Sequence, residues 1–356
     1  MIDRVALTNL IKGQTLGLGF DLVGIAALGP AETAGAFEDW LARGYAGEMD
    51  YLPRGAEKRR DSRLPFPGAT SAIVVGLNYG GKSPSGPIAR YARGDDYHEV
   101  MWKKLDSLHE WIEEQLGRPV RGKSYVDTGP ILERDLARKV GLGWFGKNTN
   151  LINPEIGSFF FIGSLLLDLE LEPDTPFEAD RCGTCTRCLD ACPTQALVEP
   201  RVLDATRCIS YLTIESREAI PDGLRESLGE LVYGCDICQD VCPWNVSFAR
   251  ELTEPALAPR AAMESPQLTE LMRMTDDGWR EFSRGSAIKR AKRSGFLRNV
   301  AVALGNSGAP EAIPALTEAL SDVEPLVRDH AAQALDTLQP AVSRTGKPAL
   351  AFRFGS

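Results

Sequence analysis

The stretch Cys182–Pro193 reads C-G-T-C-T-R-C-L-D-A-C-P, and Cys235–Pro243 reads C-D-I-C-Q-D-V-C-P. The first run has the spacing C-x2-C-x2-C-x3-C-P, in which three thiolates close on one 4Fe-4S cubane and the fourth serves a neighbouring one. A two-residue gap turns amides and thiolates toward a single centre. The x3 step into C-P starts a helix that carries its cysteine away to the other cluster. The second run keeps the x2 and x3 gaps but lacks one leading cysteine. All eight cysteines lie between Cys182 and Cys242, and Cys208 is the one left to supply it. Two sets of four follow: Cys182, Cys185, Cys188 and Cys242 for one 4Fe-4S cluster, and Cys192, Cys208, Cys235 and Cys238 for the other. Zinc ribbons pair two separated CxxC knuckles and need neither the third step nor the C-P ending. Disulfides need an oxidising compartment. The N-terminus, with Asp3 and Arg4, shows no apolar run of the leader type, so the expected location is the cytoplasm.

The flanking sequence divides into three parts. Residues 1–170 alternate strand-like and helix-like segments. Ala72–Leu77 (A-I-V-V-G-L) reads as a buried strand. Tyr97–Gly117 carries Val100, Leu105, Leu108, Ile112 and Leu116 at helical spacing. Lys123–Val126 and Phe159–Leu167 read as strands and Ile131–Val140 as a helix, which makes an α/β domain. After the Pro- and acid-rich linker Leu171–Pro176, residues 171–250 form a ferredoxin-like two-cluster domain. Residues 251–356 read as a helical domain. There Leu297–Gly305 looks like a partial copy of Pro325–Leu335, matching at Arg298/Arg328 and Ala301/Ala331. This is a HEAT-like pair of short helices, or an ordinary helical hairpin.

Composition narrows the function. A chain of 356 residues with 43% hydrophobic and 25% charged residues is ordinary globular protein. The longest apolar stretch ends at Asp168, far short of a membrane span. The net charge of −9 excludes a globally basic nucleic-acid binder. However, Arg284–Arg298 holds six cations (Arg284, Lys289, Arg290, Lys292, Arg293, Arg298) and no acid. Such a segment is either a solvated helix face or a phosphate-binding patch. There is no G-x-G-x-x-G with a trailing acid and no Walker loop. Three histidines, His98, His109 and His330, are too few for a His-rich metal site.

Several motifs together resemble the epoxyqueuosine reductase family: A-R-G-D-D-Y-H (Ala92–His98), Y-V-D-T-G-P (Tyr125–Pro130), G-K-N (Gly146–Asn148), P-E-I-G-S (Pro154–Ser158), R-C-I-S-Y-L-T (Arg207–Thr213) and V-Y-G-C-D-I-C-Q-D-V-C-P (Val232–Pro243). The resemblance covers nearly the whole chain. It implies a cobalamin-dependent enzyme, related in fold to reductive dehalogenases, that reduces the epoxide of epoxyqueuosine at the tRNA wobble position to give queuosine and water. Two clusters delivering single electrons agree with a two-electron C–O cleavage. The α/β domain is then the cobalamin-binding catalytic domain.

The resemblance also assigns residues. Asp127 is the proton donor; a carboxylic acid at a strand end can protonate a leaving oxygen, although it can also cap the following helix. Asp96 is a second acid near the site, and Asp135 is expected in a structural pair. Arg59, Leu151 and Ile162 resemble cobalamin-contacting positions; Lys147 and Asn148, after a Gly-rich turn, suit an amide-rich cofactor, and Ser210, close to Cys208, is expected between cluster and corrin; each has a plain packing or charge-run alternative. A histidine-ligated cobalamin carries D-x-H-x-x-G, but Met101 replaces the glycine after Asp96-Tyr97-His98, so base-off cobalamin without a histidine ligand is expected. From the run of cations without an acid rather than from the resemblance, Lys289, Arg290, Lys292, Arg293 and Arg298 are expected to hold tRNA. The remaining expectations are an unidentified low-potential electron donor, no membrane association and a monomer. The competing reading is a dehalogenase-like cobalamin enzyme acting on a small molecule.

Overall fold

The computed structural model describes residues 3–343, with side chains through Leu338. Its contacts gather the chain into two compact units. One consists of residues 3–85, 90–208 and 236–259, the other of residues 86–89, 209–235 and 260–343.

The first unit is built on a four-stranded sheet. Helix α1 (Arg4–Gly17) starts at Asp3, whose side chain accepts the Ala6 N–H and so satisfies one of the free amides of the first turn. Strand β1 (Leu22–Ala27) follows, then helices α2 (Ala34–Ala42), α3 (Tyr51–Arg54) and α4 (Ala56–Arg59). Strand β2 (Ser71–Asn78) is buried at all eight positions. Helix α5 (Tyr97–Leu116) is capped by Asp96 and stopped at Gly117, which takes φ +61°. Strand β3 (Gly122–Tyr125), helix α6 (Glu133–Lys139), the short strands β4 (Trp144–Phe145) and β5 (Leu151–Ile152), and strand β6 (Phe160–Leu167) complete the series.

The sheet order is β1-β2-β6-β3, and every pair is antiparallel. The α/β reading therefore holds as a mixed layer structure. Alternating strands and helices did not set the neighbours: α5 leads from β2 across to β3, and β6 then inserts between those two strands, antiparallel to both. Helix α6 covers one face, where Ala72, Val74, Tyr125, Leu136, Val140 and Leu166 form a core. Helix α5 covers the other, with Met101 against Gly163, where a Cβ would come within 2.8 Å of the methionine methyl. Burying Ile73, Val74, Val75 and Leu77 completely contributes about 1.5–3 kcal/mol for each side chain.

Around the first-unit cysteines, Trp144, Ile152 and Cys242 pack with Phe177, Cys182 and Trp244 into one small core. The loops that carry these cysteines are too short to bury a core of their own, so they borrow apolar surface from β4 and β5. The three parts marked by composition are thus segments of sequence, whereas packing sorts them into two units.

The second unit is helical. Its centre is the helix Lys292–Ser307, buried continuously from Gly295 to Gly305. The helices Ile313–Ala319 and Pro325–Ser343 pack beside it. Two polar side chains on the central helix are fully buried. Arg298 donates to the carbonyls of Leu212, Ser216 and Glu218, and Asn299 to those of Thr213 and Val232. Among the described residues no helix is long and apolar enough to cross a membrane.

Candidate functional site

Cys182, Cys185, Cys188 and Cys242 line one cavity of about 250 Å³, together with Lys147, Asn148, Ile152, Arg181 and Trp244. The turn that joins the first two cysteines is closed by the Cys185 N–H on the Cys182 carbonyl at 3.1 Å. Cys188 stands on the short helix Arg187–Ala191, and Cys242 immediately precedes the helix Pro243–Phe248. Proline suits that first helical position because its missing N–H has no partner to lose. The Trp144 indole N–H points at the Cys182 sulfur at 3.4 Å. Burial, and then the neighbouring Cys242 and Cys182 thiols, push Cys188 up; burial does the same to Cys242. Crowded thiols of this kind ionise once iron supplies positive charge.

The P-E-I-G-S motif locks this region in place. Asn245, two residues beyond Pro243, accepts the Ser158 N–H at 2.6 Å and donates to the Ser158 hydroxyl and the Gln239 carbonyl. Gln239 donates to the Ser158 carbonyl at 3.0 Å. Gly157 takes φ +73°, and a Cβ there would lie 2.2 Å from the Asn245 amide oxygen, so only glycine fits.

Lys147 and Asn148 serve the cluster loops. The Lys147 ammonium donates to the carbonyls of Gly183 at 2.7 Å and Cys185 at 2.9 Å, and the Asn148 amide to that of Cys238 at 3.2 Å. Ala196 N–H donates to the Cys192 sulfur at 3.3 Å. Cys192, Cys208 and Cys238 belong to the first unit and Cys235 to the second.

Asp127 occupies a corner between β3 and α6 with φ +56°, a region a non-glycine residue enters at a cost. It does not cap α6, whose start at Glu133 has no side-chain cap. Its carboxylate accepts the Tyr97 hydroxyl at 2.9 Å, while its backbone N–H donates to the Glu133 carboxyl at 2.8 Å. Tyr97 is held flat on Phe161, with ring centroids 4.0 Å apart and planes 4° off parallel, and His98 stacks on Tyr97 at 4.0 Å. Glu133 is half-buried. The protein packed around it, followed by the Asp127 carboxylate, pushes it up to about 8. Sequence reading missed Glu133 and Tyr97 as site residues. Tyr97 was visible inside A-R-G-D-D-Y-H, whereas an acid opening a helix carries no signal of its own.

The other expected contacts are dispersed. Arg59, on α4, is 9% exposed; its guanidinium lies 5.8 Å from the Phe37 ring centroid, and its Nη1 has no partner. Leu151 is buried in the core under α6, and Ile162 packs against that same core. Ser210 belongs to the helix Ile209–Ile214 of the second unit. Asp96 caps α5 and holds the His98 ring nitrogen at 2.6 Å. Asp135 accepts the Thr33 N–H and hydroxyl, both at 2.8 Å, as a structural pair.

The basic segment needs correction. Arg298 is completely buried on backbone carbonyls and cannot reach a phosphate. Arg293 makes a two-pronged bond to Asp322, and Arg290 does the same to Glu215. The segment contains no acids, but the fold brings acids to it from elsewhere in the chain. Lys289 and Lys292 remain exposed.

A cavity ringed by four thiols and a carboxylic acid held on a strained turn define an iron–sulfur oxidoreductase. Comparison with known sequences makes this specific. A model described as "4Fe-4S double cluster binding domain" matches residues 181–245. One described as "Epoxyqueuosine reductase QueG, DUF1730" matches residues 59–128, and one described as "PBS lyase HEAT-like repeat" matches residues 296–322. Epoxyqueuosine reductase of Shigella dysenteriae is 41% identical over 344 residues, covering 94% of this chain and 90% of the relative. That of Pseudomonas aeruginosa is 40% identical, covering 94% and 95%. A crystal structure of epoxyqueuosine reductase with an epoxyqueuosine-modified tRNA-Tyr stem loop superposes with a TM-score of 0.84 at 31% identity, over 96% of this chain and 95% of that one. A Bacillus subtilis epoxyqueuosine reductase with its catalytic aspartate loop swung out of the active site gives 0.84 at 30% identity, covering 95% and 94%. The chain belongs to the epoxyqueuosine reductase family.

Proposed function

We propose that this chain reduces the epoxide of epoxyqueuosine in tRNA to the alkene of queuosine, releasing water. The observation that carries this reading is the Asp127 corner. A carboxylic acid sits on a strained turn of backbone, directed by a tyrosine, in a chain 41% identical to epoxyqueuosine reductase over 94% of its length. Relatives this close favour tRNA over a small-molecule substrate. Asp127 donates a proton to the oxygen that leaves carbon, and Tyr97 orients its carboxyl.

Electrons arrive through two 4Fe-4S clusters. Cys182, Cys185, Cys188 and Cys242 hold one, and Cys192, Cys208, Cys235 and Cys238 the other. Lys147 and Trp144 fix the loops of the first, where the Trp144 N–H beside the Cys182 sulfur would tune its potential, and Asn148 fixes the Cys238 loop of the second. Cobalamin fits the α/β layer, since the partnerless Arg59 Nη1 is a buried donor suited to its amide and phosphate oxygens. When bound it supplies a strongly reducing cobalt centre. Leu151 and Ile162 support the wall of that site, and Ser210 is a further contact. His98 is committed to Asp96 and Tyr97, and His109 to the Val120 carbonyl at 2.7 Å, which supports base-off cobalamin with no histidine ligand.

The three segments 1–170, 171–250 and 251–356 divide the labour as catalysis, electron relay and tRNA support. Lys289 and Lys292 are the cations best placed on the surface for tRNA. The protein works as a cytoplasmic monomer with an unidentified low-potential electron donor. The deciding experiment is anaerobic incubation of the reconstituted protein with cobalamin, a chemical reductant and epoxyqueuosine-containing tRNA, followed by nucleoside analysis. Appearance of queuosine is expected; unchanged epoxyqueuosine would sink the proposal.

A further inference from the structure

Turning an epoxide into an alkene and water consumes two electrons and two protons. The first proton makes the ring oxygen a hydroxyl as one C–O bond breaks, and the second makes that hydroxyl water as the other breaks. Asp127 delivers one proton in the proposed reaction. The nearest other carboxyl in its hydrogen-bond network is Glu133, whose Oε1 accepts the Asp127 N–H at 2.8 Å. Glu133 opens α6, so its backbone is anchored in the sheet-covering helix while Asp127 sits on the adjoining turn at φ +56°. Three charged groups face it: Asp127 from the turn, Arg134 from its own helix and Arg59 from α4.

We propose that Glu133 is the proton store behind Asp127: it holds the Asp127 peptide in place and passes its own proton to Asp127 once the first has gone to substrate. Both carboxyls end the cycle as carboxylates and are recharged from solvent, while the two electrons come from the reductant already required. Glu133 acts through Asp127 and is a positioning residue with a proton of its own. The two arginines and the peptide N–H favour its carboxylate. Crowding and, once its proton has gone, the Asp127 carboxylate oppose them and prevail, keeping Glu133 protonated until pH about 8. This inference rests on the epoxide-reducing reading above.

The test uses Glu133→Gln, which keeps an acceptor oxygen for the Asp127 N–H but carries no transferable proton. Infrared titration of the protein without added cobalamin should show a protonated-carboxyl band that disappears near pH 8 in the wild type and is missing in E133Q. Single-turnover reduction of epoxyqueuosine tRNA should slow at least tenfold in E133Q at pH 7, with iron content and tRNA binding unchanged. The wild-type rate should fall above pH 8, and the variant should lack that limb. Wild-type rates in E133Q, no wild-type limb near pH 8, or a Glu133 already ionised at pH 7 would each overturn the proposal. If the wild type itself makes no queuosine, the epoxide-reducing reading fails instead, and the infrared titration still reports on Glu133.

Discussion

Asp127 and Arg298 show how differently single residues reveal themselves. Asp127 was singled out through the resemblance carried by V-D-T-G-P, which puts an acid at a strand end before a turn. The positive φ explains why a short polar residue stands there. Asn tolerates the same backbone, so Asp127→Asn should fold, bind iron and accept the Tyr97 hydroxyl through its amide oxygen. It should lose roughly 10²–10⁴-fold in single-turnover rate, the usual contribution of one positioned general acid. A variant within threefold of the wild type would remove Asp127 from the chemistry. Arg298 misled because charge on a sequence says nothing about direction. A helix exposes some positions and buries others, and this one is aimed at three carbonyls in the interior. Glu133 was illegible for a related reason: its role depends on the turn folded against it.

At the scale of elements, the helices Lys292–Ser307 and Pro325–Ser343 were visible in part, as the two similar stretches Leu297–Gly305 and Pro325–Leu335. Their neighbours were not. His330, 1% exposed, accepts the Ile220 N–H at 3.2 Å on one ring nitrogen and donates to the Leu326 carbonyl at 2.8 Å with the other. Burial pushes its pKa down to about 4, so the folded unit holds it neutral. Its contribution is complete above pH 6.5 and is lost as pH falls toward 4, an effect of about 3 kcal/mol. Unfolding followed by the fluorescence of Trp279 should show uptake of one proton over that window. A flat response would place His330 in water. The basic segment makes a second prediction. Lys289→Ala with Lys292→Ala should weaken tRNA binding and lower the slope of log affinity against log salt by about two, since each lost phosphate contact changes it by about one. Superimposable salt curves would move the tRNA elsewhere, for example to Arg54–Arg63.

Over the whole molecule the cysteine arithmetic is the firmest statement. Anaerobically purified protein should contain about eight iron atoms per chain, and Cys242→Ser should lose about four of them. Iron near four in the wild type would refute the two-cluster assignment. The sequence by itself determined the double-cluster segment, the buried strands and the helices, because cysteine spacing and hydrophobic period are local and survive without tertiary context. Tertiary structure alone decided the antiparallel order β1-β2-β6-β3, the grouping into two units and the loss of Arg290, Arg293 and Arg298 to internal partners. It also decided the meeting of Asp127 with Tyr97, 30 positions away. These depend on contacts between distant positions, where burial and pairing compete for the same side chains, and no local pattern records which partner wins.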